Sequence, residues 1–195
     1  GTWYDVEPGT NPGFLFQQNT LRDALVAGIN LNIFNNHCDR VKGANIAQMV
    51  NVLQAIIFTE GEKMVLTPTY YVFEMYKVHQ DAALIPVSFK SPDYVLQGEA
   101  IPAVTASASK DKSGKIHITF TNADPHQEIE INIEIRGAQT CKVTGTLISA
   151  RELSAHNSFV NPGTIKTVPW NGLNQNKNIL TVRLPASSVS MLEIN

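Results

Sequence analysis

Asp5, Glu7, Asp23, Glu60, Glu62 and Glu74 are the residue type that cleaves acetal bonds. One carboxyl protonates the leaving oxygen while a second, roughly 5–9 Å away, attacks or activates water. Their positions do not single out such a pair. Asp23 reads as a first-turn helix acid, Glu74 as a solvated helix residue and Glu60-Gly61-Glu62 as a surface turn. His37, His79, His117, His126 and His156 are scattered, with no His-Glu-x-x-His or Cys-x-x-Cys spacing, so neither a metal nor another cofactor is expected. Ser154 and His156 are too close along the chain to suggest a triad, and there is no Gly-x-Ser-x-Gly elbow. Trp3, Tyr4, Tyr70, Tyr71, Phe73 and Tyr76 could stack on sugars, Trp3 and Tyr4 above all, although aromatics near helices usually serve a core. Trp170, beside Pro169, reads as packing under a loop.

The elements that would position these residues change character near Asp81. Before it, apolar residues recur at helical spacing; after it, they alternate in short runs. Two domains are expected, residues 1–81 and 82–195. Thr20 with Asp23 three residues on is a variant capping box, which predicts a helix of about four turns with Leu21, Leu25, Gly28, Ile29 and Asn32 near one face. Thr67-Pro68 predicts a second helix ending near His79. Residues 40–52 suit either a helix or a short buried strand.

In the second part, Ile116, Ile118 and Phe120 alternate with His117 and Thr119, and the isoleucines from Ile129 to Ile135 alternate with Glu130, Asn132 and Glu134. Each run predicts an antiparallel strand with one dry and one wet face. Further strands are expected at residues 104–109, 141–148, 180–184 and 189–194, with Asp111 to Gly114 as a turn and both 154–169 and 171–176 as loops. The architecture is therefore mainly β, an antiparallel sandwich of jelly-roll type preceded by a helical portion.

With 195 residues, 43% hydrophobic and 16% charged, the chain is long enough for one large or two small domains, and its net charge of -2 gives no basic stripe for nucleic acid. No apolar stretch reaches the ~20 residues that span a bilayer, so no membrane partner is expected. Gly1 to Tyr4 lacks the plan of a secretory signal, which favours the cytoplasm and leaves periplasm or secretion open. Cys38 and Cys141 fall in different parts and read as free thiols.

Taken in order, Gly1-Thr2-Trp3-Tyr4, Gln18-Asn19-Thr20-Leu21-Arg22-Asp23, His37-Cys38-Asp39-Arg40-Val41, Ala44-Asn45-Ile46-Ala47-Gln48-Met49-Val50-Asn51, Asn122-Ala123-Asp124-Pro125, Ala155-His156-Asn157-Ser158-Phe159 and Leu184-Pro185-Ala186-Ser187-Ser188 resemble the C-terminal portion of α-L-arabinofuranosidases of glycoside hydrolase family 51. The resemblance implies that residues 1–81 are the last part of a (β/α)8 barrel and that the sandwich packs on that barrel. It favours a strand before a helix in residues 40–52. The family's acid/base glutamate and its nucleophile, in a Glu-Trp pair directly ahead of a segment like Gly1 to Tyr4, would both lie upstream, so this chain alone is expected to be inactive. The positions left to it for orienting an arabinofuranose are Gln48, Trp3 and Tyr4; a Gln48 amide satisfied by backbone is the alternative. Helices lacking their sheet must bury apolar faces against the sandwich or another copy of the chain, so self-association, or a homo-oligomeric parent, is expected. A sandwich that itself binds carbohydrate would need a row of exposed aromatics from Phe89, Tyr94, Phe120, Phe159 and Trp170, and a purely structural scaffold is the third reading.

Overall fold

The computed structural model describes residues 19–46, 48–137, 142–176 and 179–195. Helix α1, Leu21–Asn36, begins where its sequence says it should. The Asp23 carboxylate accepts from the Thr20 backbone N–H at 2.8 Å and from its hydroxyl at 3.0 Å. Two further first-turn donors that a helix cannot satisfy internally are taken up from outside, Leu21 N–H by the Ala155 carbonyl and Arg22 N–H by that of Leu153. A hairpin follows, β1 (Ile57–Glu60) and β2 (Lys63–Leu66), turning through Gly61 at φ +57. Helix α2, Pro68–Tyr76, starts on the expected proline and runs into a 3₁₀ turn over Lys77–His79.

The remaining elements are strands: β3 (Ala83–Ile85), β4 (Asp93–Leu96), β5 (Glu99–Pro102), β6 (Val104–Lys110), β7 (Ile116–Asn122), β8 (Ile129–Glu134), β9 (Val143–Ser149), β10 (Val168–Pro169), β11 (Leu173–Asn176), β12 (Ile179–Leu184) and β13 (Ser188–Ile194). The fold is mainly β, as its alternating runs predict. An antiparallel sheet in the order β10-β9-β13-β7-β6-β3 faces a second in the order β11-β12-β8, and β4 and β5 form a separate hairpin. Between the two large sheets lies a core that includes Ile118, Phe120, Leu147, Leu192 and Ile194 from one and Leu180, Val182 and Leu184 from the other, closed by Trp170.

Four expectations are corrected. The described residues of 40–52 form neither helix nor strand, only a single parallel bridge of Val50 to Ile57. A buried parallel strand needs neighbours on its edges, and none but β1 is at hand among the described residues. The polar stretch 171–176 is not all loop, since β11 pairs there with β12. Both β1–β2 and β4–β5 are hairpins that the pattern of apolar residues does not announce. The fourth correction concerns β7, every residue of which is buried. Its supposedly wet face, with Thr119 and Thr121, is covered by α1 and α2, whose Leu21, Ala24, Leu25, Val72 and Met75 share a second core with Ile148 and Val189 of the sheet. The helices thus bury their apolar faces on the sandwich, one of the two solutions expected of them.

Close approach of α1 to the sheet requires Gly28. A Cβ there would fall inside van der Waals contact of Thr121 Oγ1 and 3.3 Å from Val189 Cγ2. Gly28→Ala gains about 1 kcal/mol of helix propensity but overpacks a dry interface at about 1–3 kcal/mol. A net loss of about 1 kcal/mol is expected in urea unfolding, partly recovered when Thr121→Ala is added. A stabilised Gly28→Ala variant would show that the interface has room.

Candidate functional site

The segment that carries Gln48 is fixed by a tight set of backbone bonds. Gln48 N–H donates to Val52 O at 3.3 Å, Asn51 N–H to Ile57 O at 3.0 Å and Ile57 N–H to Met49 O at 3.1 Å. Asn51 and Leu53 adopt φ of 63 and 56, a left-handed conformation that asparagine tolerates and leucine resists. The Asn51 side chain explains how this is held: its Oδ1 accepts from Thr59 N–H at 2.6 Å and its Nδ2 donates to Thr59 Oγ1 at 2.9 Å. The turn is thereby joined to β1. Gln48 is exposed, and its amide makes no hydrogen bond to a described residue. Met49 beside it is 63% exposed. Trp3, Tyr4 and Cys141 lie outside the described residues; Cys38 is a free, exposed thiol.

Two clefts flank this segment. One, of about 330 Å³, lies between the β1–β2 hairpin and the long connection 154–169, with Asn51, Phe58, Glu60 and Val65 on one side and His156 to Phe159 on the other. The second, of about 440 Å³, lies among α1, α2 and residues 44–54 and is largely apolar, with Val26, Leu31, Phe34, Ile46 and Phe73. The connection 154–169, expected to be all loop, ends in the short strand β10, and the loop before it is docked: Asn157 Nδ2 donates to the carbonyls of Leu66 at 2.8 Å and Ile165 at 2.7 Å, and its Oδ1 accepts from Ile165 N–H at 2.7 Å.

Neither cleft brings two described carboxylates together. The first offers Glu60 and the second Asp23, which is committed to its helix cap. Other acids are engaged elsewhere: Glu74 with Lys77, Glu130 with Arg183, Glu193 with Lys115, and Asp124 with the N–H groups of His126 and Gln127. Asp111 is held well below the usual carboxylate range by the Ser113 hydroxyl and His117, and Glu193 is lowered by Lys115. A glycosidase acid requires a shift in the opposite direction.

The interface of the helices with the outer face of the six-stranded sheet is unusually polar. Asn32 Oδ1 accepts from Ser107 and Thr119 hydroxyls, both at 2.9 Å, while its Nδ2 donates to Thr105 Oγ1 at 3.0 Å. His79 bridges Ser109 Oγ at 2.7 Å and Thr119 Oγ1 at 3.0 Å, and the buried Tyr76 hydroxyl donates to Gly28 O at 3.1 Å. Burial pushes Tyr76 up to about 12 and, with the charge of His117 second, His79 down to about 4. This is a fastening rather than a metal centre: no group of three or more His, Cys, Asp or Glu side chains able to hold an ion occurs among the described residues. Sequence reasoning missed it, although hydroxyls at alternate positions, Thr105, Ser107 and Ser109 opposite Thr119 and Thr121, are a readable signal for a covered sheet face.

Trp170 is only 4% exposed, donates its indole N–H to Arg183 O at 3.0 Å and meets Phe120 edge-on. With both of these in the core, the five aromatics do not form the exposed row that a binding sandwich would need.

Comparison with known proteins gives a consistent answer. The family described as "Alpha-L-arabinofuranosidase C-terminal domain" matches residues 1–188. An intracellular exo-α-L-arabinofuranosidase of Bacteroides ovatus is 47% identical over all 195 residues, which make up 38% of that protein. An intracellular exo-α-(1→5)-L-arabinofuranosidase of Bifidobacterium longum is 26% identical over 75% of this chain and 26% of its own. The crystal structure of the GH51 arabinofuranosidase from Xanthomonas axonopodis pv. citri superposes with a TM-score of 0.95 at 45% identity, covering 100% of this chain and 40% of that one. The chain therefore spans about two fifths of the length of the relatives it matches most fully.

Proposed function

The chain belongs to the α-L-arabinofuranosidase C-terminal domain family, and from that premise we propose that it is the C-terminal part of a family-51 glycoside hydrolase that removes terminal α-L-arabinofuranosyl groups from arabinan- or arabinoxylan-type glycans. The observation that carries this reading is 47% identity over every residue of the chain to a named exo-α-L-arabinofuranosidase. In the whole enzyme, residues 1–81 complete a (β/α)8 barrel and residues 82–195 form the sandwich that buttresses it. The reaction is a retaining displacement by two carboxylates about 5 Å apart, both supplied by the preceding part of the enzyme.

Gln48, Trp3 and Tyr4 orient the sugar from this chain. An unengaged amide at Gln48, able both to donate to and accept from hydroxyls, suits that role. The relatives named intracellular favour a cytoplasmic enzyme, and no helix among the described residues is long and apolar enough to cross a membrane. Exposed apolar side chains such as Met49 and Met64 support association with the rest of the enzyme or with further copies.

The test is hydrolysis of p-nitrophenyl α-L-arabinofuranoside by the purified chain, with its intact mass confirmed near 21.4 kDa. No hydrolysis is expected from the chain alone, and turnover is expected from the full-length enzyme. Release of p-nitrophenol by the chain itself would overturn the upstream placement of the carboxylates.

A further inference from the structure

We propose that the cleft between the β1–β2 hairpin and the loop 154–169 binds a short neutral oligosaccharide at a subsite separate from the Gln48 position. That the sugar is an arabinosyl one rests on the arabinofuranosidase reading; the existence of the site does not.

The argument begins with which lining groups are free to meet a ligand. The amides of Asn51 and Asn157 are not: the first holds Thr59, and the second holds Leu66 and Ile165, so both serve as rigid walls. Glu60 is exposed, and its carboxylate makes no hydrogen bond or ion pair with a described residue. His156 has Nδ1 3.1 Å from the Ser154 carbonyl, an oxygen that only accepts. In the neutral ring Nδ1 therefore carries the proton and Nε2 is an acceptor. Phe159, half-buried, supplies apolar surface.

Free acceptors beside aromatic surface select a ligand that donates hydrogen bonds from its rim and presents C–H groups from its face. Sugars have that construction. The Glu60 carboxylate, with no cation paired to it, repels phosphorylated or uronic-acid units, so the ligand is neutral. A volume of about 330 Å³ falls at the lower end of the ~300–1,000 Å³ of small-molecule sites, which sets the ligand at a few sugar units. One wall is a long loop docked by buried hydrogen bonds, and the other is the hairpin to which the Gln48 turn is joined, so the cleft is contiguous with that turn.

Calorimetric titration of the 195-residue chain with arabinotriose, and separately with xylotriose, tests the proposal, circular dichroism confirming the fold of each variant. Arabinotriose is expected to bind, with affinity reduced about tenfold by Phe159→Ala and by Glu60→Gln and unchanged by Lys112→Ala, on an exposed turn of the sandwich. If Phe159→Ala fails to fold, Glu60→Gln, on an exposed hairpin residue, decides the matter. Absence of binding by either trisaccharide overturns the proposal, as does binding that both cleft variants leave intact. Binding of xylotriose but not arabinotriose through Phe159 and Glu60 upholds the site and removes its arabinosyl assignment. That result is independent of the hydrolysis assay above.

Discussion

Asn157→Ala is expected to destabilise the chain by about 3–5 kcal/mol. The side chain is 3% exposed and closes three hydrogen bonds, donating to the Leu66 and Ile165 carbonyls and accepting from Ile165 N–H. Alanine leaves three main-chain groups without that partner, each costing about 1–3 kcal/mol if water does not replace it, and partial hydration keeps the total below the sum. Because Asn157 ties the loop 154–169 to β2, the substitution also loosens the carbonyls of Leu153 and Ala155 that satisfy the first turn of α1. A midpoint lower by about 10 °C is expected in thermal unfolding. Asn161→Ala, at an exposed position of the same loop, is the control and should change little. Equal melting temperatures for the two variants would show that the Asn157 bonds contribute nothing net.

Acidification should weaken the fold through His79. Its ring lies between α2 and the sheet, with Tyr76 at 5.8 Å between ring centres, Ser109 and Thr119 hydrogen-bonded, and His117 with its partner Asp111 beyond. Burial first, and the His117 charge second, lower its folded pKa from 6.5 to about 4. The unfolded chain therefore binds more protons than the folded one between those values, and stability rises with pH across that window. The contribution of neutral His79 is complete above about pH 6.5 and is lost as pH falls toward 4, amounting to roughly 3 kcal/mol in all and about 2 kcal/mol between pH 7.5 and pH 5. Urea unfolding of the wild type and His79→Gln at those two pH values isolates this effect from other titrations. The wild type should lose about 2 kcal/mol more than the variant, and parallel losses would exclude His79 as the cause.

What was legible in the sequence is what is decided locally. Thr20 with Asp23 starts α1 because a capping box depends on neighbours in the chain, Pro68 starts α2 because its ring suits the first helical position, and the isoleucines of β8 alternate with exposed polar residues because one face of that strand meets solvent. β7 carries the same alternation yet has no wet face, since α1 and α2 arrive from elsewhere in the chain to cover it. β11 lacks strand-forming side chains and exists through its register with β12. The clefts, the Asn157 tether and the Asn32–His79 network all join residues far apart in sequence, so spacing alone could not reveal them. Gln48 came to notice through resemblance alone, and the structure adds that it is exposed.

The six-stranded sheet also sets the order in which the chain can be completed. β13 pairs along its whole length with β7 on one side and β9 on the other, yet it is synthesised after every other described strand of the two sheets. Until residues 188–194 leave the ribosome, β7 and β9 have no partner for the edges that β13 will fill, and Ile118, Phe120 and Leu147 lack the neighbour that seals them. Nascent chains halted just short of this point would display two long, apolar strand edges, a template for pairing with other chains. Translation must therefore carry most of the domain in an adhesive, unsealed form, and a strand inserted last at the centre of the sheet is what ends its exposure to chaperones and proteases.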